Sequence, residues 1–158
     1  MITNYLTFTV EENTYAIDVS AVLEVLNFTE PTAVPCALPY IEGLIYSREQ
    51  GITVVNFRKR FDLPVRDIDK RSKVIVVEID TPIDATSQRV SLYGLVADSV
   101  QDVIQIYDEE LFEGAKCSIP EEFVSTVLKY NDQPLFIINY KKLFEEAGSL
   151  NIQKPANQ

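Results

Sequence analysis

Apolar and polar residues alternate along most of this chain, and a period of two is the mark of strands whose two faces meet different surroundings. In "YLTFTV" Leu6, Phe8 and Val10 share a face, Glu11-Glu12-Asn13 supplies a turn, and in "TYAIDV" Tyr15, Ile17 and Val19 alternate again. This pair predicts a hairpin. Asp18 or Ser20 is placed to cap a short helix over "AVLEVLNF", where Val22, Leu23 and Leu26 are spaced to cover a core and Glu24 lies off that line. "TEPTAVPCALPY" carries three prolines and is predicted as an irregular connection, because proline cannot donate to a central ladder.

Two strands are predicted next, at about 42–48 and 52–57, on either side of "SREQG". A helical turn over "FRKRFD" follows and is closed by Pro64. "VRDIDKRSK" is polar and reads as a boundary or link. "KVIVVEID" is nearly continuous in apolar residues, as expected of a strand covered on both faces. Beyond it the pattern predicts a loop in "TPIDATSQ", strands in "RVSLYGLVADSV" and "QDVIQI", and an acidic irregular stretch over 107–122. "EEFVSTVLKY", "NDQP" and "LFIINY" form a second hairpin, and "KKLFEEAG" a short helix ending at Gly148 before a polar tail. "ITVVNFRKRF" and "LFIINYKKLF" have the same shape, a strand running into a short amphipathic helix. A near-repeat of this kind points to two similar units of short strands, as small barrels rather than a sandwich.

Composition narrows the function. A chain of 158 residues with 46% hydrophobic content can build a proper core. No apolar run is long enough to span a bilayer and the first residues lack a secretion signal, so a cytoplasmic location is expected. The two cysteines, Cys36 and Cys117, are read as reduced apolar residues, and no metal site is expected in a chain without histidine. The net charge of −10 argues against nucleic acid and against anionic lipid, both of which require clustered cations. Charge is nonetheless uneven. Arg58, Lys59, Arg60, Arg66, Lys70, Arg71 and Lys73 lie in one segment, while Asp108, Glu109, Glu110, Glu113, Glu121 and Glu122 form an acidic one. This is either ordinary solvation of the surface or a bipolar face that orients a protein partner. Catalytic frames are missing: there is no phosphate loop, nucleophile elbow or metal spacing, and the pair Asp98 and Asp102 reads as caps at a strand bend. Binding is favoured over turnover, with no cofactor.

The order of these features resembles the chemotaxis coupling protein family, CheW. The resemblance rests on Tyr15-Ala16-Ile17-Asp18, Val22-Leu23-Glu24-Val25, Ile41-Glu42-Gly43-Leu44, Arg48 within Tyr46-Ser47-Arg48-Glu49, and Val54-Val55-Asn56-Phe57-Arg58 with Phe61. It continues through "YGLVADSVQDVIQI" and "LFIINYKKLF", covering about residues 5–145. The chain departs from the family pattern at Tyr46, Glu49, Thr53, Asn56 and Ser99. Glycine stands at Gly51 rather than at position 49, which implies a reshaped turn, since a positive φ is easiest where glycine sits.

The resemblance implies an all-β fold of two small five-stranded SH3-like β-barrels with short helices. It places residues 14–68 in the first barrel, residues 1–13 and 69–146 in the second, and residues 147–158 in a polar C-terminal tail. It also implies a non-enzymatic scaffold that couples the cytoplasmic helical tip of methyl-accepting chemoreceptors to the regulatory domain of the histidine kinase CheA. A coupler of a twitching or gliding pathway shares that fold, and a small-ligand sensor using an apolar barrel mouth is the reading from another class.

By the same resemblance Glu24 and Arg48 face each other near the receptor groove, either as a partly buried ion pair fixing the turn or as direct contacts. Val22, Val25, Gly43, Val74, Gly94, Val100 and Val103 fall on positions associated with receptor or kinase contact. Core filling is the ordinary role of such valines, a bend that of Gly94, and conformation that of Gly43. Tyr46 and Glu49 are where partner specificity is expected to differ. Exposed valines would favour a contact role, since a helix laid in a groove needs apolar anchors.

Overall fold

The computed structural model describes residues 2–35, 37–82 and 84–145. Cys36, the expected helix end at Gly148 and the tail at 147–158 lie outside the described residues. Among the described residues ten strands are formed: β1 (Thr3–Val10), β2 (Asn13–Asp18), β3 (Val22–Asn27), β4 (Ile41–Ser47), β5 (Gln50–Asn56), β6 (Lys73–Pro82), β7 (Gln88–Ala97), β8 (Ser99–Ile106), β9 (Val124–Tyr130) and β10 (Gln133–Ile138). They build two five-stranded sheets, ordered β8-β1-β2-β10-β9 and β3-β6-β7-β5-β4. The fold is all-β, as expected.

The two sheets follow one plan. Each ends in an antiparallel hairpin, β4–β5 or β9–β10, whose second strand pairs in parallel with an inner strand, β5 with β7 and β10 with β2. Each of these strands runs into an asparagine-capped helix. Asn56 Oδ1 accepts the Lys59 N–H at 3.1 Å at the start of α1 (Phe57–Arg60), and Asn139 Oδ1 accepts the Lys142 N–H at 3.2 Å at the start of α2, described over 140–145. The near-repeat in the sequence is therefore a repeat of strand, cap and helix.

Alternation sorts the side chains into three clusters. On β6, Val74 and Val76 pack with Ile45, Ile52, Val54, Leu92 and Val96 on one face of their sheet. Ile75 and Val77 turn the other way and meet Leu6, Phe8, Tyr15 and Ile17 from the opposite sheet. Tyr5, Ala16, Ile104, Leu128, Leu135 and Ile137 fill the far face of the first sheet. The central cluster holds the halves together. Its aromatic node places Phe57 4.9 Å from Tyr15 and 6.0 Å from Phe8, centroid to centroid, and each such pair adds about 0.5–1.5 kcal/mol beyond burial.

Each sheet draws on distant parts of the chain: β2 pairs with β1 and β10, while β6 and β7 complete the sheet of β3, β4 and β5. Two expectations are corrected. The helix expected over "AVLEVLNF" is only a 3-10 turn at Val19–Ala21, capped by Asp18 Oδ1 on the Ser20 N–H at 2.9 Å, after which β3 begins. The β-branched Val22 and Val25 suit a strand, and pairing with β6 decides the matter. Finally, the positive φ of the β4–β5 turn falls on Arg48 (54°) and Glu49 (66°), not on Gly51.

Candidate functional site

The β4–β5 hairpin pairs Ser47 with Gln50, leaving Arg48-Glu49 as a two-residue loop. Such loops favour positive φ at both positions because that twist matches the strands, and they usually carry Asn or Gly there. Here two ordinary side chains adopt it. The result is an arginine held at the tip of a short, rigid turn.

β3 and β4 are the two edges of their sheet, and they approach each other at this turn. Ser47 Oγ donates to Glu24 Oε2 at 3.2 Å, and the Arg48 guanidinium lies 3.9 Å from Glu24 Oε1. Glu24 points inward between Val22 and Leu26 while Leu23 and Val25 point out. The carboxylate is thereby buried to 19% exposure, but the arginine is 78% exposed. An exposed, long ion pair contributes under about 1 kcal/mol, so Ser47, rather than Arg48, is the neutral partner that orients Glu24 across the seam. Ser47 carries no motif of its own and was not singled out in the sequence.

The remaining site positions divide by burial. Val25, Val103 and Tyr46 are exposed, by 39%, 52% and 71%. Val22 and Val100 are half-buried and lean on the central cluster. Val74 is fully buried. Gly94 is buried against it: a Cβ there would stand 2.5 Å from Val74 Cγ1. Gly43, with φ of 139°, lies so near the proline-rich connection that a Cβ would fall 2.1 Å from the Thr32 carbonyl oxygen. Thr32 and Leu44 exchange backbone hydrogen bonds of 2.8 and 2.9 Å there. Val74, Gly94 and Gly43 thus pack the molecule, whereas Glu24, Val25, Tyr46, Arg48 and Glu49 are gathered at or beside one seam.

Five of the seven basic residues of the basic segment are engaged within the molecule. Arg58 is buried; it forks onto Asp98 at 3.0 and 2.6 Å, bonds Glu11, and donates to the Pro64 carbonyl at 2.6 Å. Asp98 also accepts from Arg66 at 3.1 Å and from the Glu11 N–H at 3.0 Å. Burial alone would raise the Asp98 carboxyl, but the hydrogen bonds from Arg58 and the Glu11 N–H, with the arginine charges, hold it below the usual carboxylate range. The bond to Asp98 in turn raises Arg58. Lys59 pairs with Glu42 at 2.6 Å and Lys73 with Asn27 at 2.7 Å, while Arg60 lies over the rings of Tyr40, Phe61 and Phe123. Asp98 is thus a tie and not half of a catalytic pair. Asp102 is exposed, with its Oδ1 on the Val103 N–H at 2.9 Å.

A cleft of about 320 Å³ opens where the 3-10 turn leaves β6, lined in part by Ser20, Leu23, Glu78, Asp80 and Lys141. Its walls mix charged and apolar side chains, unlike the enclosed apolar chamber that a small-ligand sensor calls for. Among the described residues no helix is long and apolar enough to cross a membrane, and no cluster of three or more metal-ligating side chains occurs.

Comparison with known proteins identifies the family. The family model of the CheW-like domain matches residues 4–148. The chemotaxis protein CheW of Treponema pallidum is 26% identical over 153 residues, covering 96% of this chain and 85% of the relative. That of Bacillus subtilis is 27% identical over 145 residues, covering 90% and 86%. The crystal structure of the scaffolding protein TtCheW from Thermoanaerobacter tengcongensis superposes with a TM-score of 0.74 at 30% identity, covering 91% of this chain and 88% of that one.

Proposed function

The chain belongs to the CheW-like domain family of chemotaxis scaffolds, and from that premise we propose that it couples chemoreceptors to a CheA-like histidine kinase. Receptor helices dock along the seam between β3 and β4, where Val25 and Tyr46 offer apolar contact and Arg48 offers charge. The kinase regulatory domain is the second partner. Phosphoryl transfer belongs to that kinase, since this chain carries no histidine to receive the group.

The observation that carries this reading is the exposed guanidinium of Arg48. It sits on a rigid turn beside a half-buried carboxylate, contributes little to stability, and is free to pair with a partner's acid. Tyr46 and Glu49 flank it and set which receptor is accepted. The test is affinity capture on the tagged chain from the cells that express it, read by mass spectrometry. Recovery of a CheA-like kinase together with chemoreceptors is the expected outcome. Recovery of a kinase of a twitching or gliding pathway would move the chain to that pathway, and recovery of neither would overturn the coupling role.

A further inference from the structure

β6 and β7 outrun their sheet. β3 pairs with β6 only as far as Val77, and β5 pairs with β7 only from Tyr93 onward. The rungs Glu78↔Leu92, Ile79↔Ser91, Asp80↔Val90, Thr81↔Arg89 and Pro82↔Gln88 therefore form a two-stranded arm. A lone ribbon of this kind is marginal in water and keeps a row of backbone donors and acceptors unpaired along each edge.

One of those edges is shaped into a site. The 3-10 turn Val19–Ala21 lifts the chain off β6 where continued pairing would have covered residues 78–80. The cleft of about 320 Å³ lies in that gap, between Ser20–Leu23 on one side, Glu78–Asp80 on the second and Tyr140–Lys141 on the third. Along β6, Ile79 faces the central cluster, whereas Glu78 and Asp80 are exposed on the opposite face and form no ion pair with a described residue. Lys141 is the single cation among the described lining residues. An incoming strand would thus meet apolar surface, Ile79 with Tyr140, on one of its faces and two carboxylates on the other.

We propose that this edge is a second docking surface, which binds an extended segment of a partner protein carrying Lys or Arg alternating with small apolar residues. The segment continues the line of β3 and adds a strand to β6. Backbone bonds hold it, Ile79 and the exposed Leu23 give it apolar contact, and Glu78 and Asp80 select its charge. This mode differs from a helix laid on the Arg48 seam and does not depend on it.

The test uses the full chain and a capped peptide of alternating lysine and valine, followed by amide hydrogen exchange and chemical shifts in NMR. The peptide should slow exchange at the outward amides of residues 78–80 and shift Leu23, Ile79 and Tyr140. The double variant Glu78→Lys/Asp80→Lys, checked for an unchanged circular dichroism spectrum, should weaken binding about tenfold or more. A peptide N-methylated at alternate residues, which keeps its charge but cannot pair along one edge, should not bind. Equal binding of the methylated peptide, a footprint elsewhere, or no binding at millimolar peptide would overturn the proposal. So would protection of the outward amides of residues 78–80 in the free chain: independent of concentration it would make the chain its own occupant, and dependent on concentration a second copy.

Discussion

Arg58→Ala removes the cation at the centre of the tie between the two sheets. Arg58 belongs to α1, which follows β5; Glu11 sits in the β1–β2 turn; Asp98 sits where the chain passes from β7 in one sheet to β8 in the other. The Arg58 side chain is 8% exposed and that of Asp98 14%, so neither is well screened by water. Removing one member of a buried pair costs about 3–5 kcal/mol, because the other is left charged and dry. Asp98 keeps Arg66 and the Glu11 N–H, which places Arg58→Ala near the lower end, at about 3 kcal/mol. For a chain of this size that corresponds to a fall in Tm of roughly 6–12 °C. Urea and thermal denaturation followed by circular dichroism read both quantities. Pairing Arg58→Met with Asp98→Leu should recover part of the loss, since two apolar groups leave no orphan charge.

The same tie fixes the acid behaviour. Asp98 titrates below its ordinary 3.8 in the folded chain, so its contribution is complete above the unfolded value and is lost as pH falls through the lower folded value. Stability of the wild type should therefore drop below about pH 4, and Asp98→Asn should flatten that slope. A melting temperature for Arg58→Ala within 2 °C of wild type, about what 1 kcal/mol would move, would show that solvent screens the cluster and would refute the reasoning.

Glu49→Gly should stabilise the chain by about 0.5–1 kcal/mol in urea titration, because glycine adopts the left-handed conformation of the turn without strain, less its own unfolded-state entropy; destabilisation would show that the Glu49 side chain makes a contact worth more than the strain. Gly43→Ala should cost about 3 kcal/mol or more by the same titration, since its Cβ collides with the Thr32 carbonyl at a φ no other residue favours. Gly94→Ala should cost about 1–3 kcal/mol, and less when Val74→Ala makes room for the new methyl; an additive double variant would remove Val74 as the cause.

The strands were legible because their alternation is local. Leu6, Phe8 and Val10, assigned to one face by spacing, all enter the central cluster, and the continuous apolar run at 74–77 is covered on both faces. β3 was misread because "VLEVLN" satisfies helical and strand spacing alike; its half-buried positions are Val22, Glu24 and Leu26, and only pairing with a strand some fifty residues away decides between them. A glutamate in the inward register looks like a fault until Ser47 arrives from the opposite edge of the sheet. The Asp98 tie was invisible for a related reason, since Arg58 is 40 positions away and Glu11 is 87. Which strands share a sheet was not legible, because the parallel pairs β5·β7 and β10·β2 carry no short-range signal. Glu24 and Arg48 were found through the family pattern, and the exposure that separates their roles came from the fold.

The proposed coupling role rests on Arg48 serving a partner and not the fold. The most direct measurement is isothermal titration of a chemoreceptor cytoplasmic-tip fragment into wild type and Arg48→Ala, with both chains melted in parallel. The two chains should differ in stability by less than about 1 kcal/mol, and affinity should fall about tenfold or more in the variant. Unchanged affinity, or a loss of stability of about 3 kcal/mol, would contradict it.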